Sequence, residues 1–375
     1  MKKNKLFILV LLLSTFVFTS CDKNSDDNSS TSETAFNFGT PTFRNFSGTI
    51  ISEDNTPLGN VVVKLGNRVV TTNANGQFTI NNASVKENFA YLTATKSGFL
   101  NGSRTLVPHE GVNNVVIKLL TENVIATIST GVVSPVMLPN GTKVVFDGAF
   151  KNVDGSAYNG SVAVSMYHLD PHDTAVFDKM PGTLFAQNAD GNMRGLQTFG
   201  MVNVELKGSN GQKLQIANGH KAIMTMPITA TQVGSAKSTI PLWHFDDVKG
   251  YWVEEGFSTR VGNNYVGEVS HFSWWNNDDA YTPQILNVIA VDNFGVPLNG
   301  IRVTLTRKAG STGDVLFDLG TTNANGTLTA LVPLVEDLTF RAYLTDGTII
   351  STQNLQGTND PSRTVYVTLA PANRG

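Results

Sequence analysis

Three carboxylates, Glu254, Glu255 and Glu268, fall in one aromatic-rich stretch from Pro241 to Asp279, which also holds all four tryptophans of the chain: Trp243, Trp252, Trp274 and Trp275. Two carboxylates flanking a sugar above an aromatic platform are the working parts of a glycosidase, so Glu254 and Glu268 define a hydrolytic reading of this stretch. Carboxylates on the solvent faces of strands are common, and a non-catalytic reading stands against it. An indole exposed beside polar groups can stack on a sugar face, which makes Trp252, Trp275, His244 and Glu254 the candidate ligand surface. Buried indoles would serve cohesion instead. Each covers roughly 150–250 Å², about 4–6 kcal/mol gross as an upper bound against the unfolded chain.

The elements that must position these groups are strands. Pairing about a turn from Asp246 to Gly250 sets Phe245 opposite Tyr251, with Trp243, Phe245, Tyr251 and Val253 on the core face. Leu242, His244, Trp252 and Glu254 then fall on the other face, and Trp252 is expected to be the exposed ring. In the next segment Tyr265 and Val269 share one face while Phe272 and Trp274 share the opposite one. A bulge near Ser270-His271 is expected to reset the phase, the alternative being an inward His271.

Other chemistry is sparse. The chain has no HExxH, no Gly-x-Ser-x-Gly elbow and no phosphate-cradling glycine loop. His168-Leu169-Asp170-Pro171-His172-Asp173 is the most metal-like run, but a proline breaks its turn and nothing fixes a third or fourth ligand, so it is read as an exposed polar loop. Asn276 to Asp279 and Asn188 to Gly191 lack dense calcium-ligand spacing and are read as solvated turns. No catalytic residue, metal or cofactor is expected. With a net charge of −3 and 15% charged residues there is no basic stripe, and nucleic acid is not an expected partner.

The address is written at the start. Basic residues precede an apolar run from Leu6 to Phe18, about 20 Å as a helix and too short to span a bilayer, so residues 1–20 read as a signal peptide. Cys21, the only cysteine, follows Thr19-Ser20 and rules out an internal disulfide. This junction resembles the lipobox of bacterial lipoproteins, with Phe18 where Leu is usual. The resemblance implies that Cys21 is acylated and tethers the mature chain to a lipid bilayer. Residues 21–40 are a polar tether, and its acidic run (Asp22, Asp26, Asp27) resembles the export signal of surface-exposed lipoproteins in one Gram-negative phylum. An outer-membrane anchor facing the cell surface is the expected localisation, with a polysaccharide or an envelope protein as the expected partner.

Beyond the tether, turn chemistry sets the fold class. Eight Asn-Gly and four Asp-Gly pairs punctuate short β-rich runs, and no amphipathic helix of useful length intervenes, so the body is expected to be all-β. Residues 41–120 alternate as a two-sheet sandwich, with Val61, Val63 and Leu65 on one inner face and Phe78 and Ile80 on another. On Gly48, Pro57-Leu58, Val61, Val63, Thr71-Thr72, Gly76, Phe78 and Gly98-Phe99 this segment resembles the carboxypeptidase regulatory-like domain, which implies a transthyretin-like sandwich without peptidase residues. Pro297 to Leu305 echoes Pro57 to Leu65, and Thr321 to Gly326 repeats Thr71 to Gly76 letter for letter, so residues 281–375 are expected to be a second such sandwich, with one hairpin lengthened around Lys308 to Asp318. Residues 121–280 form a β-rich middle domain. Its segments LWHFDD, GYWVEEG and YVGEVSHFSWWN resemble bacterial surface proteins and, more distantly, the extracellular part of cartilage intermediate layer protein and its relatives. That resemblance implies an extracellular β domain and no catalytic residue.

Overall fold

The computed structural model describes residues 37–173, 175–308 and 314–369, without the side chains of 308 and 314–318. The expected signal peptide, Cys21 and most of the expected tether lie outside the described residues. Among those described the regular secondary structure is almost wholly strand, the one helix being α1 (Val176–Lys179).

The first seven strands are β1 (Pro41–Ser52), β2 (Val62–Leu65), β3 (Arg68–Thr71), β4 (Gln77–Lys86), β5 (Ala90–Thr95), β6 (Gly102–Leu106) and β7 (Val112–Leu119). They form a three-stranded sheet ordered β4-β1-β7 and a four-stranded sheet ordered β3-β2-β5-β6. Alternation drives the packing: Val61, Val63, Leu65, Phe78 and Ile80 are all buried in the core between the two sheets.

The middle strands are β8 (Val124–Ser129), β9 (Ser134–Met137), β10 (Lys143–Phe146), β11 (Phe150–Asn152), β12 (Ala157–Tyr158), β13 (Ser161–Leu169), β14 (Phe185–Gln187) and β15 (Met193–Gly208). They continue as β16 (Lys213–Ile216), β17 (Ala222–Pro227), β18 (Thr239–Asp246), β19 (Tyr251–Val261), β20 (Asn264–Val269) and β21 (Trp274–Tyr281). All belong to one 14-stranded sheet whose main path runs β12-β11-β16-β15-β21-β18-β19-β20-β17-β10-β9. Its two ends share a single core, in which Val136, Phe146 and Phe150 meet Val202, Leu242 and Trp275, so the sheet folds back on itself.

The last strands are β22 (Pro283–Asp292), β23 (Arg302–Lys308), β24 (Asp314–Thr321), β25 (Thr327–Pro333), β26 (Leu338–Tyr343), β27 (Ile349–Leu355) and β28 (Ser362–Leu369). The orders β25-β22-β28 and β24-β23-β26-β27 repeat the topology of the first seven strands, including the parallel pairing of first strand with last. The β23–β24 hairpin is longer than the β2–β3 hairpin it corresponds to.

The repeated TTNANG explains itself in the bonds it makes. Thr72 Oγ1 donates to the Leu58 carbonyl (2.7 Å) and accepts from the Val61 N–H (2.9 Å), while Thr322 does the same with Leu298 (2.6 Å) and Ile301 (3.0 Å). Asn73 Oδ1 accepts the Asn75 and Gln77 N–H groups, as Asn323 Oδ1 accepts those of Asn325 and Thr327. These side chains close a turn, which leaves the Asn oxygens occupied by backbone. Gly76 and Gly326 both sit at φ 70°, donating to Asn73 and Asn323 in a type I turn with a left-handed exit.

A Cβ on Gly76 or Gly326 would stand 2.4 Å from the Ile50 carbonyl oxygen or 2.2 Å from that of Ala290. Gly98 has a similar φ of 84° but open space around it. Gly326→Ala should therefore cost more stability than Gly98→Ala in a denaturant titration. The strained φ contributes about 1–3 kcal/mol to both, and the backbone clash adds to the first alone.

Candidate functional site

The candidate site grows from the register of one hairpin. Asp246 Oδ1 accepts the N–H groups of Val248 and Lys249 (2.9 Å each), and the Asp246 carbonyl accepts the Gly250 N–H (2.7 Å). This Asx-capped turn draws Asp246 into the ladder opposite Tyr251, so Phe245 pairs with Trp252, His244 with Val253 and Trp243 with Glu254. Compared with the pairing expected from sequence the register is moved by one residue, and Trp252 changes face. It is fully buried, 0% exposed, with its ring 5.4 Å from that of Phe245.

Trp275 is equally buried, on the other face of the sheet, because β21 is sandwiched between β15 and β18 with Trp275 between Val202 and His244. The expected ligand surface of Trp252 and Trp275 is thus corrected: neither ring reaches solvent, and Trp243 and Trp274 are buried too. Glu254 accepts the Ala189 N–H (3.1 Å) and Glu268 pairs with Lys221 (2.7 Å), so the two carboxylates of the hydrolytic reading are tied to different partners. Trp243, Phe245, Trp252 and Trp274 join Met201 and Leu169 in a cluster with Leu100 and Leu120, against which Tyr91 packs. The indoles are the seam between the middle sheet and the first sandwich. Around it Tyr91 donates to the Asp247 carbonyl (3.0 Å), Tyr167 to Glu53 (2.6 Å), and the Gly182 N–H to Ser103 (3.0 Å). Gly250 and Gly182 permit the approach: a Cβ on either would lie 2.3 Å from the Tyr91 ring or 2.5 Å from that of Phe245.

What the hairpin does assemble is a histidine–carboxylate cluster. Between Pro241↔Phe257 and Trp243↔Glu254, β19 carries one residue more than β18, a bulge that sets Glu255 toward His244. β20 then ends at Val269 and β21 begins at Trp274, so the expected bulge at Ser270-His271 is instead a crossing between strands with different neighbours. The crossing is clamped. Gln215 accepts the Phe272 N–H (2.7 Å) and donates to the Phe272 carbonyl (2.8 Å), while the Trp275 indole N–H donates to the His271 carbonyl (3.0 Å). His271 consequently turns toward Glu255. Its Nε2 lies 3.1 Å from Glu255 Oε2, and His244 Nδ1 is 3.1 Å from the same oxygen.

The three ligand atoms, His244 Nδ1, Glu255 Oε2 and His271 Nε2, lie within 4.8 Å of one another, and no other such cluster of three exists among the described residues. His244 is mostly buried, while His271 and Glu255 remain partly open to solvent. Burial, helped by the neighbouring His271 charge, pushes the His244 imidazole below its usual range despite Glu255. Burial works to raise Glu255, but the hydrogen bonds and charge of His271 and the hydrogen bond from Ser270 outweigh it and hold the carboxyl low. A neutral imidazole beside an ionised carboxylate is the state in which both can ligate a cation. Glu255 and His271 were visible in the sequence, but only the bulge and the crossing join them to His244.

The other polar runs resolve differently. His168 is on β13, Asp170 accepts the His172 N–H (2.8 Å), the His172 ring bonds to Thr231 (2.8 Å) and Asp173 pairs with Lys179 (2.5 Å), so the run converges on no common point. Asn276 to Asp279, expected as a solvated turn, lies in β21 with Asn276, Asn277 and Asp278 buried, because pairing with β15 and β18 covers both edges of that strand. Asp278 accepts the Phe199 N–H (3.3 Å) and a bond from Asn276. Its complete burial raises its carboxyl well above the usual range, against the pull of its hydrogen bonds with Thr198, Phe199 and Asn276.

No family model matches the chain. It is 29% identical over 126 residues to human cartilage intermediate layer protein 2, covering 34% of this chain and 11% of that protein. The mouse protein of the same name is 27% identical over 123 residues, covering 32% and 10%. The chain thus matches about a tenth of the length of these curated relatives. Among solved structures, the TIE protein of Bacillus anthracis overlays at a TM-score of 0.19 with 11% identity, covering 88% of this chain and 50% of that one. The major pilin SpaD of Corynebacterium diphtheriae overlays at 0.20 with 11% identity, covering 88% and 97%. Overlays this loose define no common fold.

Two outcomes follow. Trp252→Ala should destabilise the chain by about 3–5 kcal/mol in equilibrium unfolding. Trp252→Phe should cost less, since it keeps much of the buried ring volume that Ala removes, and the indole N–H lost in either change has no partner. Asp278 has a folded pKa above its unfolded value of about 3.9, so its stabilising contribution is complete below that value and is lost as pH rises through the folded pKa. Wild-type stability should fall relative to Asp278→Asn as pH rises above about 4, by at most about 1.4 kcal/mol per pH unit, and parallel curves would contradict this.

Proposed function

We propose that this chain is a non-catalytic envelope lipoprotein, held in the outer membrane by acylated Cys21 and facing the cell surface, whose folded part is a scaffold for a partner protein. The observation that carries this reading is the burial of all four indoles in cores and in the seam to the first sandwich. Aromatic surface committed to joining modules makes a stiff body, and no indole is left to stack on a polysaccharide. The separate partners of Glu254 and Glu268 weigh against bond cleavage by that pair.

Contacts at the other end support stiffness as well. Arg307 pairs with Glu336 (3.3 Å) and donates to Gln197 of the middle sheet, and Tyr281 lies over Gly195, where a Cβ would be 2.2 Å from its ring. His109 of the first sandwich bonds to Asn323 in the repeated TTNANG turn (2.9 Å). In this reading the module boundaries fall near residues 120 and 280. Among the described residues no helix is long and apolar enough to cross a membrane.

The anchor is tested by fractionating cells that express the full chain or its Cys21→Ser variant. The wild-type chain should take up labelled fatty acid, sediment with outer membranes and be cleaved by protease added to intact cells. The variant should incorporate no label and leave the membrane fraction. Equal behaviour of the two would overturn the anchored reading.

A further inference from the structure

We propose that His244, Glu255 and His271 form a binding site for a divalent transition-metal ion of the zinc class. The inference does not depend on the lipoprotein reading, because it stands on the donor set, on the geometry and on the way the surrounding chain holds the ligands. Two imidazoles and one carboxylate suit zinc and its neighbours, while calcium and magnesium call for oxygen cages.

Ligand atoms around a tetrahedral zinc ion are separated by roughly 3.4 Å, given bonds of about 2.0–2.2 Å. Both nitrogen-to-oxygen separations are 3.1 Å, close to that value. The widest separation, 4.8 Å, closes if the partly exposed His271 ring swings inward by roughly 1 Å. His244 Nδ1 supplies an independent observation: it is buried and makes no hydrogen bond, although Glu255 Oε2 is 3.1 Å away. A buried polar atom without a partner is costly, and a cation shared with Glu255 would satisfy it.

The ligands come from three separate segments, β18, β19 and the crossing between β20 and β21. Glu255 and His271 are held from behind. Ser270 Oγ donates to Glu255 Oε1 (2.9 Å), leaving Oε2 for the ion. The His271 backbone is fixed by the Trp275 indole N–H, and the next residue by the oxygen and the NH2 of the Gln215 side-chain amide. Such outer contacts orient ligands before the ion arrives. The His244 ring stands edge-on to that of His271, 4.8 Å between centroids, and both rings flank Trp275. Bound metal would pin the hairpin to the crossing segment over the Trp275 core, with its fourth position open to water on the solvent side.

The test titrates the full chain, stripped with a chelator, with Zn2+ by calorimetry and with Co2+ by visible absorption. The wild-type chain should bind one equivalent of each, show the ligand-field bands of low-coordinate cobalt and unfold at a higher temperature when zinc is present. His271→Ala and Glu255→Gln should weaken binding about 100-fold or more, since loss of a direct ligand exceeds the 10–100-fold cost of losing an outer one. Metal-free melting curves of these two variants should match the metal-free wild type, which separates ligand loss from misfolding. His172→Ala, outside the cluster, should bind as the wild type does. Absence of zinc uptake by the wild-type chain, or uptake undiminished in both ligand variants, would overturn the proposal.

Discussion

The arrangement depends on removing indoles from water. Four tryptophans within one stretch would be a liability on a surface, and at about 25 cal/mol/Å² their burial is among the largest local driving forces the chain possesses. Trp275 sits in the core enclosed by the folded-back sheet, while Trp243, Trp252 and Trp274 face the opposite way into the seam with the first sandwich. A strand with large aromatics on both faces must be covered on both sides. The first sandwich supplies Tyr91, Leu100 and Leu120 as that second cover.

That requirement also sets the position of the polar groups. With both faces of β21 covered, Asn276, Asn277 and Asp278 are carried into the interior, where neighbouring hydrogen bonds hold Asp278 and burial raises its carboxyl well above the usual range. Within the same sheet, the bulge on β19 and the crossing after Val269 let His244, Glu255 and His271 converge. The histidine–carboxylate cluster is thus a product of the same hairpin that buries Trp252.

Much of the fold was legible because its signals are local. Asn-Gly and Asp-Gly turns announce strands, and the TTNANG repeat is legible because each of its side chains closes a bond within a few residues. The faces of the tryptophan hairpin were not legible. Whether Asp246 belongs to the turn or to the ladder depends on two hydrogen bonds to its side chain, and that choice moves Tyr251 to Glu254 to the opposite face, until the bulge before Phe257 resets the register. For the same reason Glu254 looked like the functional carboxylate, although Glu255 is the one beside His244. Asn276 to Asp279 misled by composition: polar residues suggest a turn, but strand pairing on both sides outweighs that preference.

The central claim is that no indole is available at the surface, and fluorescence of the folded full chain under acrylamide quenching tests it most directly. The account predicts blue-shifted emission and weak quenching throughout, with quenching rising to the free-indole level only on unfolding. A readily quenched, red-shifted fraction in the native chain would show at least one tryptophan in water and contradict it.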